Sequence, residues 1–383
     1  MRSLAAWIAL PLALACSNSK GKPPPSLEIS DDIAASGDGF AVALFQSVGA
    51  ELGPGTVARI DNGAVFDTLV AEIDRAKTSI HVAMYIWEAG AASTRVTAAL
   101  AAKARAGVAC RIVIDAFGSS KFEAEVGPPL VAAGCEVRMF RPVSLGTLTT
   151  RNHRKIVVID GAVAIIGGFG VRDDWMGDGV TGWRDTNVRF TGKAVRGAQQ
   201  AFAENWQEAG GKLLPVAAFP TPPDDGHSRL ALVASTASPE VTRAERLIQI
   251  LAAAAHHRLW IANAYFAPSK AILAVIERKA RSGVDVRLLV PGDHDDSKPA
   301  LVAQRALYSE LRAAGVRVWE YQPSMMHSKT MVVDDRVSSV ASINLDPLSL
   351  NRLDEVALVI EDAEFTGKLA AAFEADCAHA SAK

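Results

Sequence analysis

Asn152-His153-Arg154-Lys155-Ile156-Val157-Val158-Ile159-Asp160-Gly161 and Met326-His327-Ser328-Lys329-Thr330-Met331-Val332-Val333-Asp334-Asp335 carry one pattern twice: His, any residue, Lys, four residues, Asp. The four residues after each Lys are apolar or β-branched, the composition of a buried strand. Side chains on a strand alternate between faces, so a His and a Lys two apart project to one side and meet the same ligand. The Asp lies an odd number of positions from the His and points away from that side, so Asp160 and Asp334 read as structural or orienting residues. A lone His-x-Lys before a strand is ordinarily an accidental surface pair. Its recurrence at equivalent places in a duplicated chain lifts it out of that background.

The duplication extends well beyond the motif. Ala106-Gly-Val-Ala-Cys-Arg-Ile-Val-Ile-Asp115 echoes Ser282-Gly-Val-Asp-Val-Arg-Leu-Leu-Val-Pro291, and Ala132-Ala-Gly-Cys-Glu-Val-Arg-Met-Phe140 echoes Ala313-Ala-Gly-Val-Arg-Val-Trp-Glu-Tyr321. Upstream, Ile80-His-Val-Ala-Met-Tyr-Ile86 pairs with Leu259-Trp-Ile-Ala-Asn-Ala-Tyr-Phe266, each after an Ala-rich helical pattern. Short apolar runs alternate with segments of helical period such as 94–106 and 270–281, which predicts an α/β fold. The expected architecture is two homologous α/β repeats, each a mixed, largely parallel sheet flanked by helices, packed about a pseudo-twofold axis with one shared active site. The repeats are expected over 51–210 and 229–383, with a Pro- and Gly-rich linker at 211–228. Neither half need be active alone.

Two His and two Lys brought together cover the needs of phosphoryl chemistry. Neutral imidazole is a nucleophile and base, imidazolium is an acid, and Lys stabilises anionic oxygen. After each motif come small residues: Ile166-Gly-Gly-Phe-Gly170 in one copy and Val340-Ala-Ser-Ile-Asn344 in the other. Small side chains at Gly168 and Ser342 let backbone N–H groups approach a phosphate, and Asn344 has an amide to donate to one. This inventory calls for neither a metal nor a cofactor.

The bulk properties narrow the class. The chain has 383 residues, 49% of them apolar, enough for a packed core, and its 40 Lys+Arg against 42 Asp+Glu lack the basic excess of a general nucleic-acid binder. Met1-Arg2 followed by an apolar run from Leu4 to Ala15 reads as an export signal, too short for the ~20 residues of a spanning helix. It ends in Leu12-Ala-Leu-Ala-Cys16, similar to a bacterial lipobox, although Ala13 stands where Leu is usual. The expectation is a signal and lipobox over 1–16 with lipidation at Cys16, then a polar, Pro-containing tether and lead-in over 17–50. That makes the protein an exported, membrane-anchored lipoprotein of the bacterial envelope, or a periplasmic or secreted one if the lipobox is not used. Cys110 and Cys135 have two readings, a pair in an oxidising compartment or two small buried apolar residues. Asp293-His294-Asp295-Asp296 follows Pro291-Gly292 and reads as a solvated turn. The Trp residues read as mostly core, and Met325-Met326, beside His327, as a candidate lining for an acyl-chain entrance.

The duplicated motif with its Gly-Gly and Ser-x-Asn tails resembles the phospholipase D superfamily over nearly all of the chain after Pro25. Asn344-Leu-Asp-Pro-Leu-Ser349 and Trp183-Arg-Asp185 are most similar to bacterial cardiolipin synthases and their relatives. The resemblance implies that His153 attacks phosphorus to form a phosphohistidine and that His327 protonates the leaving group, with Lys155 and Lys329 beside them. It also implies that Asp185 orients His153 and that Glu355 orients His327. Substrates of the phosphatidylglycerol or phosphatidylethanolamine class, met at a membrane surface, follow from the same likeness, with transfer to an alcohol or hydrolysis as the outcome. Two departures stand out, since Gly170 and Leu353 occupy places where many relatives have Asn. The rival readings are a nuclease of the same superfamily, disfavoured by charge balance and export signal, and a non-catalytic phospholipid-binding envelope lipoprotein.

Overall fold

The computed structural model describes residues 33–223, 225–238 and 241–383. The expected export signal, the expected lipidation site Cys16 and the first part of the expected tether lie outside them. Among the described residues the first repeat forms a seven-stranded sheet in the order Val57–Asp61, Thr186–Thr191, Val163–Gly167, Ile156–Ile159, Ser79–Met84, Ala109–Asp115, Glu136–Phe140. The second forms a nine-stranded sheet in the order Gly53–Gly55, Ser228–Ser235, Glu355–Glu361, Val337–Ala341, Lys329–Val333, Arg258–Asn263, Asp285–Pro291, Arg317–Tyr321, Ala380–Ala382.

Strand periodicity builds the layers. In the first sheet Ile80, Val82, Met84, Ile112, Ile114, Val157 and Ile159 face an outer core with the helices Ala64–Arg75 and Ala91–Arg105. Ala83, Val113, Ile156 and Val158 face inward. The second sheet repeats the arrangement, with Leu259, Ile261, Met331 and Val333 outward and Trp260, Ala262 and Val332 inward. The inner faces share one core with the helices Ala194–Glu208 and Ala363–Ala378. This alternation is the two-residue period expected of strands buried on both faces.

Both sheets are mixed, as expected, but less parallel than the strand-helix alternation suggested. Three strands in each are parallel, Ser79–Met84 with Ala109–Asp115 and Glu136–Phe140, and Arg258–Asn263 with Asp285–Pro291 and Arg317–Tyr321. The rest pair antiparallel, and the motif strand and its successor in each sheet are joined by a tight hairpin with no room for a crossover helix. The boundary at residue 51 also differs, for Gly53–Gly55 lies on Ser228–Ser235 of the second sheet and the first sheet begins at Val57. Cys110 and Cys135 are disulfide-bonded, which decides between the two readings of that pair.

The topology fixes the site. The three parallel strands of each sheet end on the same side, where the antiparallel motif strand begins. Ala83 pairs with Ile156 and Asn263 with Lys329. Both motif histidines therefore stand at the carboxyl ends of parallel strands, the usual place for ligands in α/β sheets.

Candidate active site

Each histidine loop is tied to the opposite repeat by main-chain hydrogen bonds. His153 N–H donates to Asp354 O (2.9 Å), with Asn152 bridged to Asp354, and His327 N–H donates to Arg184 O (2.7 Å), with Met326 bridged to Arg184. Between His153 and Lys155, Arg154 turns away from the ligand side, and its guanidinium donates to Ala201 O, Asn205 Oδ1 and Ser235 O. Buried Arg151 and Asp115 pair behind the first loop, and Asp115 also accepts from Asn152 N–H.

This reciprocity exchanges the two orienting carboxylates. His153 Nδ1 lies 2.9 Å from Glu355 Oε1, and His327 Nδ1 lies 3.4 Å from Asp185 Oδ2. The pairing of Asp185 with His153 and of Glu355 with His327 is thus corrected. Each loop crosses the interface onto the segment that follows the other copy's motif, so the nearer carboxylate belongs to the other half. The likeness between the two copies says which residues correspond, but not across which interface they meet.

The carboxylates are themselves held. Glu355 accepts from the hydroxyls of Ser342 and Ser349, while Asp185 accepts from Trp175 Nε1–H (2.9 Å) and Thr186 N–H (2.8 Å). Lys155 Nζ donates to His153 O (2.7 Å) and sits over the Tyr85 ring, which packs edge-on against His153. Lys329 Nζ donates to His327 O (2.6 Å) and lies 3.1 Å from His327 Nδ1. Trp175, Trp183 and Tyr265 surround the His327 ring.

Burial sets the electrostatics. His153 and His327 are 7% and 5% exposed, and Lys155 and Lys329 are 2% exposed. Loss of hydration, reinforced by the two lysines, holds both imidazoles well below their usual pKa and hence neutral. Burial likewise pulls Lys155 well down and Lys329 to about 8, and it pushes Glu355 up to about 7 and Asp185 up to about 6. An anionic phosphodiester seated between the lysines offsets their repulsion of an imidazolium and favours protonation of one ring.

The remaining candidates fall into place with some changes. Asp160 accepts from the N–H groups of Lys77, Thr78 and Ser79, and Asp334 from those of His256, His257 and Arg258. Each closes its hairpin at positive φ, 54° and 49°, just past the end of its motif strand, and ties it to the start of the neighbouring strand, so it is the far end of the strand and not strand parity that sets both apart from the histidines. Ser342 is not a phosphate ligand, since its N–H donates to Val356 O and its hydroxyl to Glu355. Gly168 provides room in a different sense, because a Cβ there would lie 2.6 Å from Asp185 Oδ1. Asn344 is buried, and its Oδ1 has no partner within the protein. Met325 and Met326 are buried, Met326 in the inner core, and line no entrance. In the 293–296 turn Asp293 pairs with Arg305 at the surface, but Asp295 is buried and Asp296 accepts from Tyr265 O–H. Among the described residues no cluster of His, Cys, Asp or Glu is arranged to hold a metal. Sequence reading missed Trp175, Trp183, Ser349, Tyr85 and Tyr265 as site residues. Equal spacing after the motif His, which aligns Trp175 with Ser349, was the available signal.

The cardiolipin synthase PLD-like domain family matches the chain twice, at residues 69–206 and 247–377, one match per repeat. The chain is 34% identical to a cardiolipin synthase of Geobacillus kaustophilus (strain HTA426) over 334 residues, covering 85% of this chain and 66% of that one. It is 33% identical to cardiolipin synthase A of Pseudomonas putida (strain W619) over 316 residues, covering 81% and 66%. It thus spans just under two thirds of the length of these relatives. Among solved structures, phosphatidylserine synthase of Haemophilus influenzae Rd KW20 superposes with a TM-score of 0.67 at 12% identity, covering 90% of this chain and 92% of that one. Polyphosphate kinase of Porphyromonas gingivalis reaches 0.55 at 12% identity over 83% and 46%. The low identities speak for the fold alone, whereas the paired family matches and the relatives at about a third identity decide kinship: the chain belongs to the phospholipase D superfamily, in the family of cardiolipin synthase PLD-like domains.

Proposed function

We propose that the protein is a phosphatidyltransferase that works through a covalent phosphohistidine and moves a phosphatidyl group from one phospholipid to the glycerol hydroxyl of another. The observation that carries this reading is the pair of buried imidazoles, each with Nδ1 beside a carboxylate and each with a lysine two residues on. Glu355 fixes the His153 tautomer, leaving the Nε2 lone pair to attack phosphorus. The bond to the leaving alkoxide breaks, and His327 gives that oxygen its proton. In the second half His327 takes the proton of the acceptor hydroxyl, whose oxygen attacks phosphorus and releases His153. Lys155, Lys329 and the Asn344 amide serve the non-bridging oxygens. The near-complete burial of both imidazoles limits water as a competing acceptor, which supports transfer over hydrolysis.

Purified protein incubated with phosphatidylglycerol is expected to yield diphosphatidylglycerol and free glycerol by mass spectrometry, with the rate unchanged by EDTA because acid, base and positive charge all come from side chains. Phosphatidic acid as the main product would move the acceptor to water. Lipid bound without any product, or activity abolished by EDTA and restored by added metal, would overturn the reading.

The pH profile follows from the same groups. Ionised Glu355 is needed to hold His153, and its pKa of about 7 places the acid limb there; charged Lys329, at about 8, sets the alkaline limb. A bell in kcat between those values is expected, since kcat reports the bound complex, in which the phosphodiester keeps His327 protonated. A rate flat from pH 5 to 9 would remove both groups from the rate-determining chemistry.

A further inference from the structure

The two carboxylates of the site are equivalent by the duplication, but the donors that hold them are not. Gly168 and Ser342, Gly170 and Asn344, and Trp175 and Ser349 each stand the same number of residues after their motif histidine. In the second repeat Ser342 and Ser349 both donate hydroxyls to Glu355. In the first, Gly168 has no side chain to donate. The indole that occupies the place of Ser349 reaches Asp185 Oδ2 with Nε1–H at 2.9 Å. Room for that ring comes from Gly170, where a Cβ would lie 3.0 Å from Trp175 Cζ3 and 3.2 Å from Cη2. An Asn side chain, as at position 344, would collide with it. The indole also packs edge-on against His327, 5.1 Å between centroids, and lies under the Arg172 guanidinium.

We infer that Trp175 is a positioning residue for the proposed acid-base histidine: its indole N–H holds Asp185 against His327, a task the second repeat gives to two serine hydroxyls, and Gly170 is the small residue that admits it. The inference rests on the phosphatidyltransfer reading for its consequence in catalysis, but the hydrogen bond itself does not. The two sites then differ in kind. A serine hydroxyl rotates and both donates and accepts, whereas an indole N–H only donates, in the plane of a ring fixed by packing. Asp185 Oδ2 is thus shared between a fixed donor and His327 Nδ1 at 3.4 Å, a looser contact than the 2.9 Å of His153 with Glu355. The charged groups acting on Asp185 are Lys329, Lys155 and Arg184, with His327 in direct contact. Burial raises its pKa to about 6 while Lys329 and the Trp175 N–H pull it down, so loss of the N–H moves it further up.

The test replaces Trp175 with phenylalanine and, to keep the bicyclic shape, with benzothienylalanine, which lacks the N–H. Both are expected to lower kcat for phosphatidylglycerol about 10- to 100-fold, the loss of one hydrogen bond to a charged acceptor, and to leave KM within about twofold because ground-state binding is untouched. The low-pH side of the kcat profile, set by Glu355 at about 7, is expected to steepen as Asp185 rises toward it from about 6 and to move up by roughly a few tenths of a unit. A folded benzothienylalanine variant with unchanged kcat, or with lowered kcat and an unmoved profile, would reduce Trp175 to packing. Independently of any substrate, the Trp175 indole N–H resonance is expected to titrate with Asp185 and to shift in Asp185→Asn. An indole signal indifferent to both refutes the contact, whereas a wild-type protein that turns over no lipid while that signal responds refutes only the transferase reading.

Discussion

His153→Ala is expected to lower turnover on the order of 10⁴-fold or more, the scale seen when a covalent nucleophile is deleted. Acid-labile label from a phosphatidyl donor should be recovered on His153 of the quenched wild type. The choice of His153 over His327 follows the resemblance to the superfamily, and the closer Nδ1 contact of His153 with Glu355, 2.9 Å against 3.4 Å for His327 with Asp185, accords with it by leaving Nε2 for phosphorus. Retained turnover in the variant, or label trapped on His327 in the wild type, would reverse the two roles.

The exchanged carboxylates give the second large effect. Glu355→Gln is expected to cost about 10² to 10⁴ in kcat, the penalty of an imidazole freed into the wrong tautomer, even though Glu355 lies in the half that carries the other histidine. Asp185→Asn is expected to cost less, on the order of 10², because its contact with His327 is already long. A phosphatidyl ester of p-nitrophenol separates the two. Its leaving group needs no proton, so the first chemical step of Asp185→Asn recovers on this substrate and that of Glu355→Gln does not. Recovery in Glu355→Gln instead would mean that Glu355 serves the acid and that the pairing across the interface has no catalytic consequence.

The fold was legible because its signals were periodic: apolar runs of strand length, helical spacing between them, and one motif recurring with its flanks. The motif histidines and lysines could be picked out on those grounds, whereas Asp160 and Asp334 lie past the far ends of their strands at positive φ, a reason for their distance that strand parity does not contain. What stayed hidden was three-dimensional. Which carboxylate reaches which histidine depends on how two hydrogen-bonded loops cross an interface, and no spacing along the chain encodes that. Ser342 looked like a small residue making space and is in fact a donor to Glu355. Trp175 looked like core because bulk and apolarity dominate its reading, whereas its role lies in a single N–H. Asp295 was assigned to solvent from its turn composition, yet the turn folds inward and buries it.

The bridges Asn152 to Asp354 and Arg184 to Met326 bear on descent. A progenitor holding one copy of the unit would have carried a histidine with no carboxylate of its own to grip it, inert in isolation and competent only as a twin. Two such units joined in tandem would keep the mutual dependence while each was released from the need to match its sister. Gly170 with Trp175 on one side, and Asn344 with Ser349 on the other, are what that release allows.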